Sequence, residues 1–171
     1  ETPRNDFRLA ETLQRTPSVL GLALGDTADD AATTARPSLG PHPPASEPLV
    51  VPAEDVAGRA FLEARAGFAF AGDDPRQFLP DYTAVTAPLP VLTQAAAGLG
   101  AMNWTADRDQ IVRAVPLVFT LDGAFVPALA AEALRVAQGA DTYVVRASNA
   151  SGAEAFGEES GVNAVRIGAF T

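Results

Sequence analysis

The amino-acid sequence predicts an α/β protein in which a mixed β-sheet is flanked by helices. Short apolar runs typical of buried strands, such as 19–24 and 142–146, alternate with segments whose apolar residues recur at helical spacing, such as 129–137. The 171-residue chain is 47% hydrophobic and 19% charged, the composition and length of an ordinary globular domain. Residues 1–171 are therefore predicted to form a single domain.

The first third of the chain predicts a helix, a buried strand and a long loop. Residues 5–16 carry apolar side chains at helical spacing and end before a proline, which predicts a short amphipathic helix. The apolar run 19–24 ends at a glycine, as a buried strand would. The proline-dense stretch 35–52 interrupts regular structure, so 37–48 is predicted to be the most mobile internal segment. Within that stretch, residues 49–51 are predicted to form a short edge strand.

The middle of the chain predicts one helix and one long strand. The segment 57–71 contains several aromatic residues and packs against something, but its pattern leaves helix and strand open. A strand is predicted to include 112–119 and to turn at Asp122-Gly123, because this β-rich run ends in a preferred hairpin turn. Residues 89–99 are predicted to form a helix, with Gly98 or Gly100 as its stop and with four residues facing inward: Leu92, Ala95, Ala96 and Leu99.

The last third predicts the strongest helix and two strands. Pro127 occupies the first turn of this helix and Gly139 supplies its stop. Residues 142–146 and 163–170 are predicted strands joined by glycine- and serine-rich turns. The helix is predicted to cover the sheet with an apolar stripe made of Leu129, Ala130, Ala133, Leu134 and either Val136 or Ala137.

The charge balance and the absence of cysteine exclude several classes of function. The net charge is −9, all twelve basic residues are arginine, and no arginine cluster forms a basic patch that could attract a phosphate backbone. Nucleic acid is therefore excluded as a partner. Without cysteine the chain has no disulfide and no thiolate chemistry. No apolar run approaches the roughly 20 residues that a membrane-spanning helix needs.

The sequence lacks the residue patterns of common active sites. The only histidine, His42, lies between prolines and is predicted to be exposed, so no serine has a base beside it. The glycines do not form the Gly-x-Gly-x-x-Gly loop of nucleotide sites. A carboxylate pair for glycoside hydrolysis could come from Asp73, Asp74, Glu132, Glu154, Glu158 or Glu159. A solvated acidic face is favoured because sugar-stacking aromatic residues are few. We predict no catalytic residue, no metal site and no cofactor.

Asn103 and Trp104, at the end of a predicted strand, are the candidate ligand-binding residues. Asn103 could face a ligand or tie a turn together with its amide, and the turn role is favoured. Trp104 could line a pocket, although a large ring beside an apolar hairpin more often belongs to the core. Asp107, Asp109 and Arg113 are predicted to form a structural turn and clamp. A cation site is the disfavoured alternative, because a calcium loop needs more oxygen ligands at fixed spacing.

Two segments, 98–117 and 126–135, resemble the CHASE-two family, the second class of cyclase- and histidine-kinase-associated extracellular sensory domains. The matching pattern contains a glycine, an asparagine at a strand end, an Asp-x-Asp turn, an arginine, Pro-Leu, and a helix that opens Pro-x-Leu-Ala. Gln110 stands where the family usually has glycine, and Ala128 stands where it usually has serine. The residues that carry the pattern are Gly98, Asn103, Asp107, Asp109, Arg113, Pro116, Leu117, Pro127, Leu129 and Ala130.

The resemblance implies a sensor domain on the periplasmic, extracytoplasmic face of the bacterial inner membrane. Such domains are joined through transmembrane helices to an adenylate or guanylate cyclase, a histidine kinase or a Ser/Thr kinase, and the cyclase-linked members look most similar. It also implies that the chain is an internal piece, truncated at both ends, and is not itself an enzyme. A small-molecule or protein signal and a second copy of the chain remain open as partners. The alternative is a periplasmic α/β solute-binding protein or hydrolase.

Overall fold

A computed structural model of the chain describes residues 4–26, 50–52, 66–104, 108–149 and 161–171. Within these ranges, helices alternate with strands that form three small mixed sheets, which confirms the predicted α/β class. The elements are α1 (Arg4–Arg15), β1 (Val19–Gly25), β2 (Val50–Pro52), β3 (Gly67–Ala71), a 3₁₀ turn (Pro75–Phe78), β4 (Asp81–Tyr82), β5 (Ala84–Thr86), α2 (Pro90–Ala95), β6 (Gly98–Ala101), β7 (Val118–Leu121), β8 (Ala124–Pro127), α3 (Leu129–Gln138), β9 (Thr142–Ala147) and β10 (Val162–Ile167).

The first sheet has the strand order β2-β5-β1-β6 and confirms the predictions for the start of the chain. α1 and β1 lie where the apolar patterns place them, and β1 buries Leu22 and Leu24. β1 pairs parallel with β6 and antiparallel with β5. β2 lies at the edge, as predicted for residues 49–51. The prediction of mobility for 37–48 falls outside the described residues.

The second sheet has the order β10-β9-β3 and brings distant parts of the chain together. β9 and β10 confirm the two predicted strands and pair antiparallel. β3 pairs parallel with β9, which assigns residues 67–71 of the ambiguous segment to a strand. Because side chains alternate along a strand, Tyr143 and Val145 lie on one face of β9 and Val144 lies on the other. Tyr143 and Val145 point into the core, where neither is exposed.

The third sheet has the order β4-β7-β8, and it corrects the predicted strand 112–119. The hairpin turn is confirmed: Asp122 and Gly123 both have positive φ, 48° and 75°, as a type I′ turn requires. The strand, however, begins only at Val118. Residues 111–117 form no ladder. Pro116 cannot donate a ladder hydrogen bond, and the apolar side chains before it are exposed, including Ile111 at 52% and Val115 at 53%.

The prediction of a helix over 89–99 is correct only for its first half. α2 ends at Ala95, and residues Gly98–Ala101 form the fully buried strand β6. The two glycines that suggested a helix stop have another use. A Cβ at Gly100 would lie 2.8 Å from the backbone nitrogen of Leu129, so glycine is needed for α3 to approach this strand.

α3 confirms the predicted helix but turns a different face to the core. It starts at Leu129, directly after an extended Ala128, so Pro127 belongs to β8. It ends at Gln138, and the next residue, Gly139, has φ 61° and supplies the predicted stop. The predicted apolar stripe is wrong, because Ala130, Ala133, Leu134 and Ala137 are exposed and Leu129 and Val136 are only partly buried. The buried residues of the helix are Ala131, Glu132 and Arg135. Glu132 and Arg135 can be buried because each satisfies the charge of the other.

The hydrophobic core joins all three sheets to α3. Leu22 and Leu99 contribute from the first sheet, Phe119 and Val126 from the third, and Tyr143 from the second. Each of these side chains is at most 5% exposed. A single core of this kind fixes the relative positions of the strand ends and of α3, on which the polar side chains of interest are carried.

Candidate functional site

Asn103 ties the end of β6 to β1. Its Nδ2 donates to the carbonyl of Leu24 at 2.7 Å, and its Oδ1 accepts from the amide of Leu24 at 2.8 Å. The side-chain amide therefore pairs with both polar groups of one backbone residue, as a neighbouring strand would. Both the oxygen and the nitrogen of this amide group are engaged by the backbone of Leu24, so the geometry supports the tying role over ligand contact.

Trp104 lies on the surface, where 65% of it is exposed. The expectation that it belongs to the core is therefore wrong. The preceding Met102 is 51% exposed, and its side chain lies over β1: a Cβ at Gly21 would be 2.8 Å from the Cγ of Met102. Trp104 remains a candidate for contact with a ligand or a partner, because its ring is not packed in the hydrophobic core.

Asp109 and Arg113 form a bidentate ion pair on the surface, called the surface pair below. The two nitrogen–oxygen distances are 2.7 and 2.9 Å, and about half of each side chain is exposed. The hydrogen bonds from Arg113, followed by the amide of Ile111, lower the pKa of Asp109. Asp107 lies outside the described residues. The role of these residues as a stabilising clamp therefore stays a prediction.

Gln110 adopts the left-handed conformation, with φ 62°. It stands at the position where the CHASE-two pattern usually has glycine, a residue that enters this region without steric cost. The turn thus keeps a glycine-like backbone although the residue carries a Cβ. The side chain of Asp109 spans this residue and accepts a hydrogen bond from the amide of Ile111 at 3.2 Å, which helps to hold the turn in this conformation.

Three buried polar side chains, Glu132, Arg135 and Tyr143, form a hydrogen-bonded cluster that is called the buried triad below. Arg135 donates to both carboxylate oxygens of Glu132, at 2.6 and 2.9 Å, and Tyr143 donates to the same carboxylate at 2.6 Å. Arg135 also donates to the carbonyl of Ala140 at 2.7 Å. Exposure is 1% for Glu132, 6% for Arg135 and 0% for Tyr143. The triad therefore locks α3 to β9 and to the turn between them.

Burial and charge shift the acid–base behaviour of the triad in directions that keep it intact. Loss of water around the Tyr143 hydroxyl, together with the Glu132 carboxylate beside it, raises the pKa of Tyr143. The hydrogen bonds to Glu132 raise the pKa of Arg135, so its guanidinium stays charged. β6 leaves room for the carboxylate: a Cβ at Gly98 would lie 2.8 Å from the Cγ of Glu132. The triad consequently joins α3 to β9 and packs against β6.

An aromatic column runs from the triad toward the surface, and it consists of Tyr143, Phe68 and Phe125. The ring of Phe68 stacks on Tyr143 with centroids 4.7 Å apart and on Phe125 with centroids 5.2 Å apart. Such stacked contacts are favourable beyond the area they bury. The column joins β9, β3 and β8, and so connects the second sheet to the third.

The guanidinium of Arg76 caps the outer end of the column. Its central carbon lies 4.5 Å from the ring centroid of Phe125 and 6.0 Å from that of Phe70. The same group donates to the carbonyl of Gly123 at 2.8 Å and to the carboxylate of Asp74 at 3.0 and 3.2 Å. The groups around it, Phe70, Phe125, Asp74 and Gly123, are called the Arg76 cage.

Among the described residues, no group of three histidine or acidic side chains is placed to hold a metal ion. A shallow open pocket of about 370 Å³ lies beside β9 and β10, lined by Thr142, Val144 and Arg166 among others. None of the described helices has the length and apolar character to cross a bilayer. The buried triad and Asn103 join structural elements to one another. The class that this arrangement defines is an α/β domain whose helix and strands are held together by buried or partly buried polar contacts.

Comparison with known families identifies that domain. The family model of the CHASE2 domain matches residues 1–167, so the chain belongs to the CHASE2 family. CHASE2 domains are extracellular sensory domains and not catalytic ones, which makes this chain a sensory domain and fits an extracytoplasmic location. Neither a curated protein nor a solved structure shows significant similarity to the chain.

Sequence reasoning missed both the buried triad and the Arg76 cage. The acidic composition predicts a solvated face for Glu132, but its spacing of three residues from Arg135 allows an ion pair within one helical turn. The sequence gives little indication of the cage. Asp74 and Arg76 lie close together on either side of Pro75, but Phe70 and Phe125 belong to strands that are far apart in sequence. Only the fold brings these groups together.

Proposed function

We propose that this chain is the signal-sensing domain of a bacterial transmembrane receptor and that it regulates a cytoplasmic nucleotide cyclase or kinase. The domain lies on the periplasmic side of the inner membrane, and its signal is a small molecule or a protein. Membership of the CHASE2 family, over residues 1–167, is the observation that carries this proposal. Catalysis belongs to the parent receptor outside this chain.

The arrangement of the buried triad supports a role in transmission. A sensor conveys its state when ligand binding shifts the balance between two arrangements of rigid parts. The triad joins α3 to β9 through charge-assisted hydrogen bonds, which are short and strongly directional. α3 and the second sheet therefore move as one body, and the signal is conveyed by motion of this body relative to other parts of the receptor.

The coding sequence on both sides of residues 1–171 gives the direct test. We expect apolar segments of about 20 residues, long enough to cross a bilayer, and a cyclase or kinase domain on the cytoplasmic side. A short secreted chain with neither feature would contradict the proposal.

A functional test uses the full-length receptor in membranes and measures cyclase and autokinase activity. Glu132→Gln is expected to change the output at least about twofold, because it weakens the bonds that make α3 and the second sheet move as one body. Glu11→Gln on the exposed face of α1 is the matched control and is expected to leave the output unchanged. Equal outputs from both variants at equal protein levels would remove the transmission role of the triad.

A further inference from the structure

The Arg76 cage has the chemistry of a complete guanidinium site. Phe125 and Phe70 offer ring faces at 4.5 and 6.0 Å, the distances at which a cation is attracted to an aromatic ring. The carbonyl of Gly123 and the carboxylate of Asp74 accept hydrogen bonds from different nitrogens of the group. Aromatic faces, a carboxylate and a carbonyl are the partners by which proteins recognise a planar cation.

The walls of the cage do not depend on the side chain that fills it. The carboxylate of Asp74 accepts a hydrogen bond from the backbone amide of Arg76 at 3.0 Å, a contact that any residue at position 76 can make except proline. The carbonyl of Gly123 is fixed by the hairpin turn, and Phe125 is fixed by stacking on Phe68. The cage is thus preorganised and would keep its shape if the Arg76 side chain left it.

Access to the cage is open from solvent. The side chains of Arg76 and Asp74 are 42% and 48% exposed, and Phe70 is 46% exposed. The guanidinium is therefore held by contacts at the surface and can swing out without unpacking the core. The net charge of −9 draws cations toward the domain.

We propose that the Arg76 cage is a binding site for an external guanidinium compound, with Arg76 as the internal competitor that occupies it in the resting domain. The proposal rests on the sensing role and names the class of ligand: a small molecule or peptide side chain with a planar, hydrogen-bonding cation. A ligand that displaces Arg76 takes over its contacts with Asp74, Gly123 and Phe125. Arg76 then leaves the outer end of the aromatic column, which connects the site to the buried triad.

The test is a titration of Arg76→Ala with methylguanidinium, followed by NMR shifts of the cage residues, against sodium chloride at equal ionic strength. We expect saturable binding with a Kd of about 1–10 mM, in keeping with the few atoms of the probe. Wild-type protein should bind at least about tenfold more weakly, because only molecules with Arg76 swung out are competent. Arg166→Ala, which removes another exposed arginine, is the control and should behave as wild type.

Two further variants and one further probe keep the proposal falsifiable. Binding to Arg76→Ala should be lost when Asp74→Ala is added, and tetramethylammonium, which has no N–H donors, should bind more weakly than methylguanidinium. If Arg76→Ala does not fold, Arg76→Lys serves, because an ammonium group competes for the cage without filling the planar site. Absence of saturable binding in the folded variant, or binding that survives Asp74→Ala, would overturn the proposal.

The experiment also separates the cage from the sensing role. Binding by the isolated domain without any effect of the same compound on the output of the full-length receptor would uphold the cage as a site and count against its use in sensing. An altered receptor output with no binding at the cage would overturn the site while leaving the sensory function intact.

Discussion

The surface pair and the buried triad contain nearly the same ion pair in opposite surroundings. Arg113 grips Asp109 at 2.7 and 2.9 Å, and Arg135 grips Glu132 at 2.6 and 2.9 Å. In each, arginine follows the carboxylate within about one helical turn in sequence. The side chains of the surface pair are 54% and 50% exposed, whereas those of the buried pair are 7% and 1% exposed.

The comparison shows that the geometry of an ion pair does not by itself determine how much the pair contributes to the free energy of unfolding. When the surface pair breaks, water hydrates both charged groups, so the folded state loses little stability. In the core, Glu132 and Arg135 have no solvent to return to, and Tyr143 and the carbonyl of Ala140 complete their hydrogen bonds. The difference in burial predicts that substitutions in the triad cost far more stability than substitutions in or beside the surface pair.

Glu132→Ala should have the largest effect, a loss of about 3–5 kcal/mol in the free energy of unfolding, because it strands a charged guanidinium in the core. Urea denaturation followed by circular dichroism measures it. The sharpening variant combines Glu132→Leu, Arg135→Met and Tyr143→Phe, which removes both charges and the hydroxyl. It should be less destabilised than Glu132→Ala, and a greater loss would show that charge isolation is not the cause.

Tyr143→Phe should lower the free energy of unfolding by about 1.5–3 kcal/mol, the range for a hydrogen bond to a charged group. It also has a distinctive pH dependence. The pKa of Tyr143 is raised in the folded state, so its contribution is present below the unfolded value of about 10 and is lost as the pH rises above it. Wild-type stability should therefore fall from about pH 10 upward, and more steeply than that of Tyr143→Phe. Parallel slopes would contradict the assignment.

Gln110→Gly should stabilise the turn beside the surface pair by about 0.5–1 kcal/mol. A side chain at φ 62° costs energy that glycine avoids, although glycine also makes the unfolded chain more flexible and so offsets part of the gain. Thermal denaturation measures the change, with Asn163→Gly at an exposed position of β10 as a control that should destabilise. No gain in melting temperature would mean that Gln110 makes contacts that compensate for its strain.

Asp109→Asn and Arg113→Ala should have the smallest effects, each lowering the melting temperature by less than about 2 °C. Because the pKa of Asp109 is lowered in the folded state, the contribution of the pair is present above an unfolded value of about 3.9 and is lost as the pH falls through that of the folded state. The two substitutions should be non-additive, as coupled neighbours are. Additive shifts in the double mutant would remove the clamp, and calcium-dependent stabilisation would point to a cation site instead.

Local patterns predicted most of the elements and few of the contacts. α1, β1, β9, β10 and the turn at Asp122-Gly123 follow from spacing, run length and turn chemistry, which act between residues close in sequence. The buried strand β6 was predicted as a helix end because its glycines look like a stop, while their actual use is to let α3 approach.

The prediction for α3 failed for a different physical reason. The prediction placed the leucine and alanine side chains on the buried face because they are apolar. In the structure Glu132 and Arg135, three residues apart, neutralise each other's charge and occupy that face instead. The prediction that Asp109 and Arg113 act together was within reach because they are four residues apart. The Arg76 cage was not, since its partners meet only through the long-range pairing of β3 with β9 and the stacking of Phe68 on Phe125.

The position of β1 in its sheet has a consequence for how the chain acquires its structure. β1 is made early, yet its parallel partner is β6, and the bonds that fix the end of that pairing join residues 79 apart. A chain synthesised from its N-terminus carries this apolar strand without its ladder until β5 and β6 have followed. Forming such distant pairings requires closure of long loops, which slows folding relative to helical domains of the same size. The unpaired apolar strand β1 is therefore exposed to aggregation for longer than the strands that are synthesised after it.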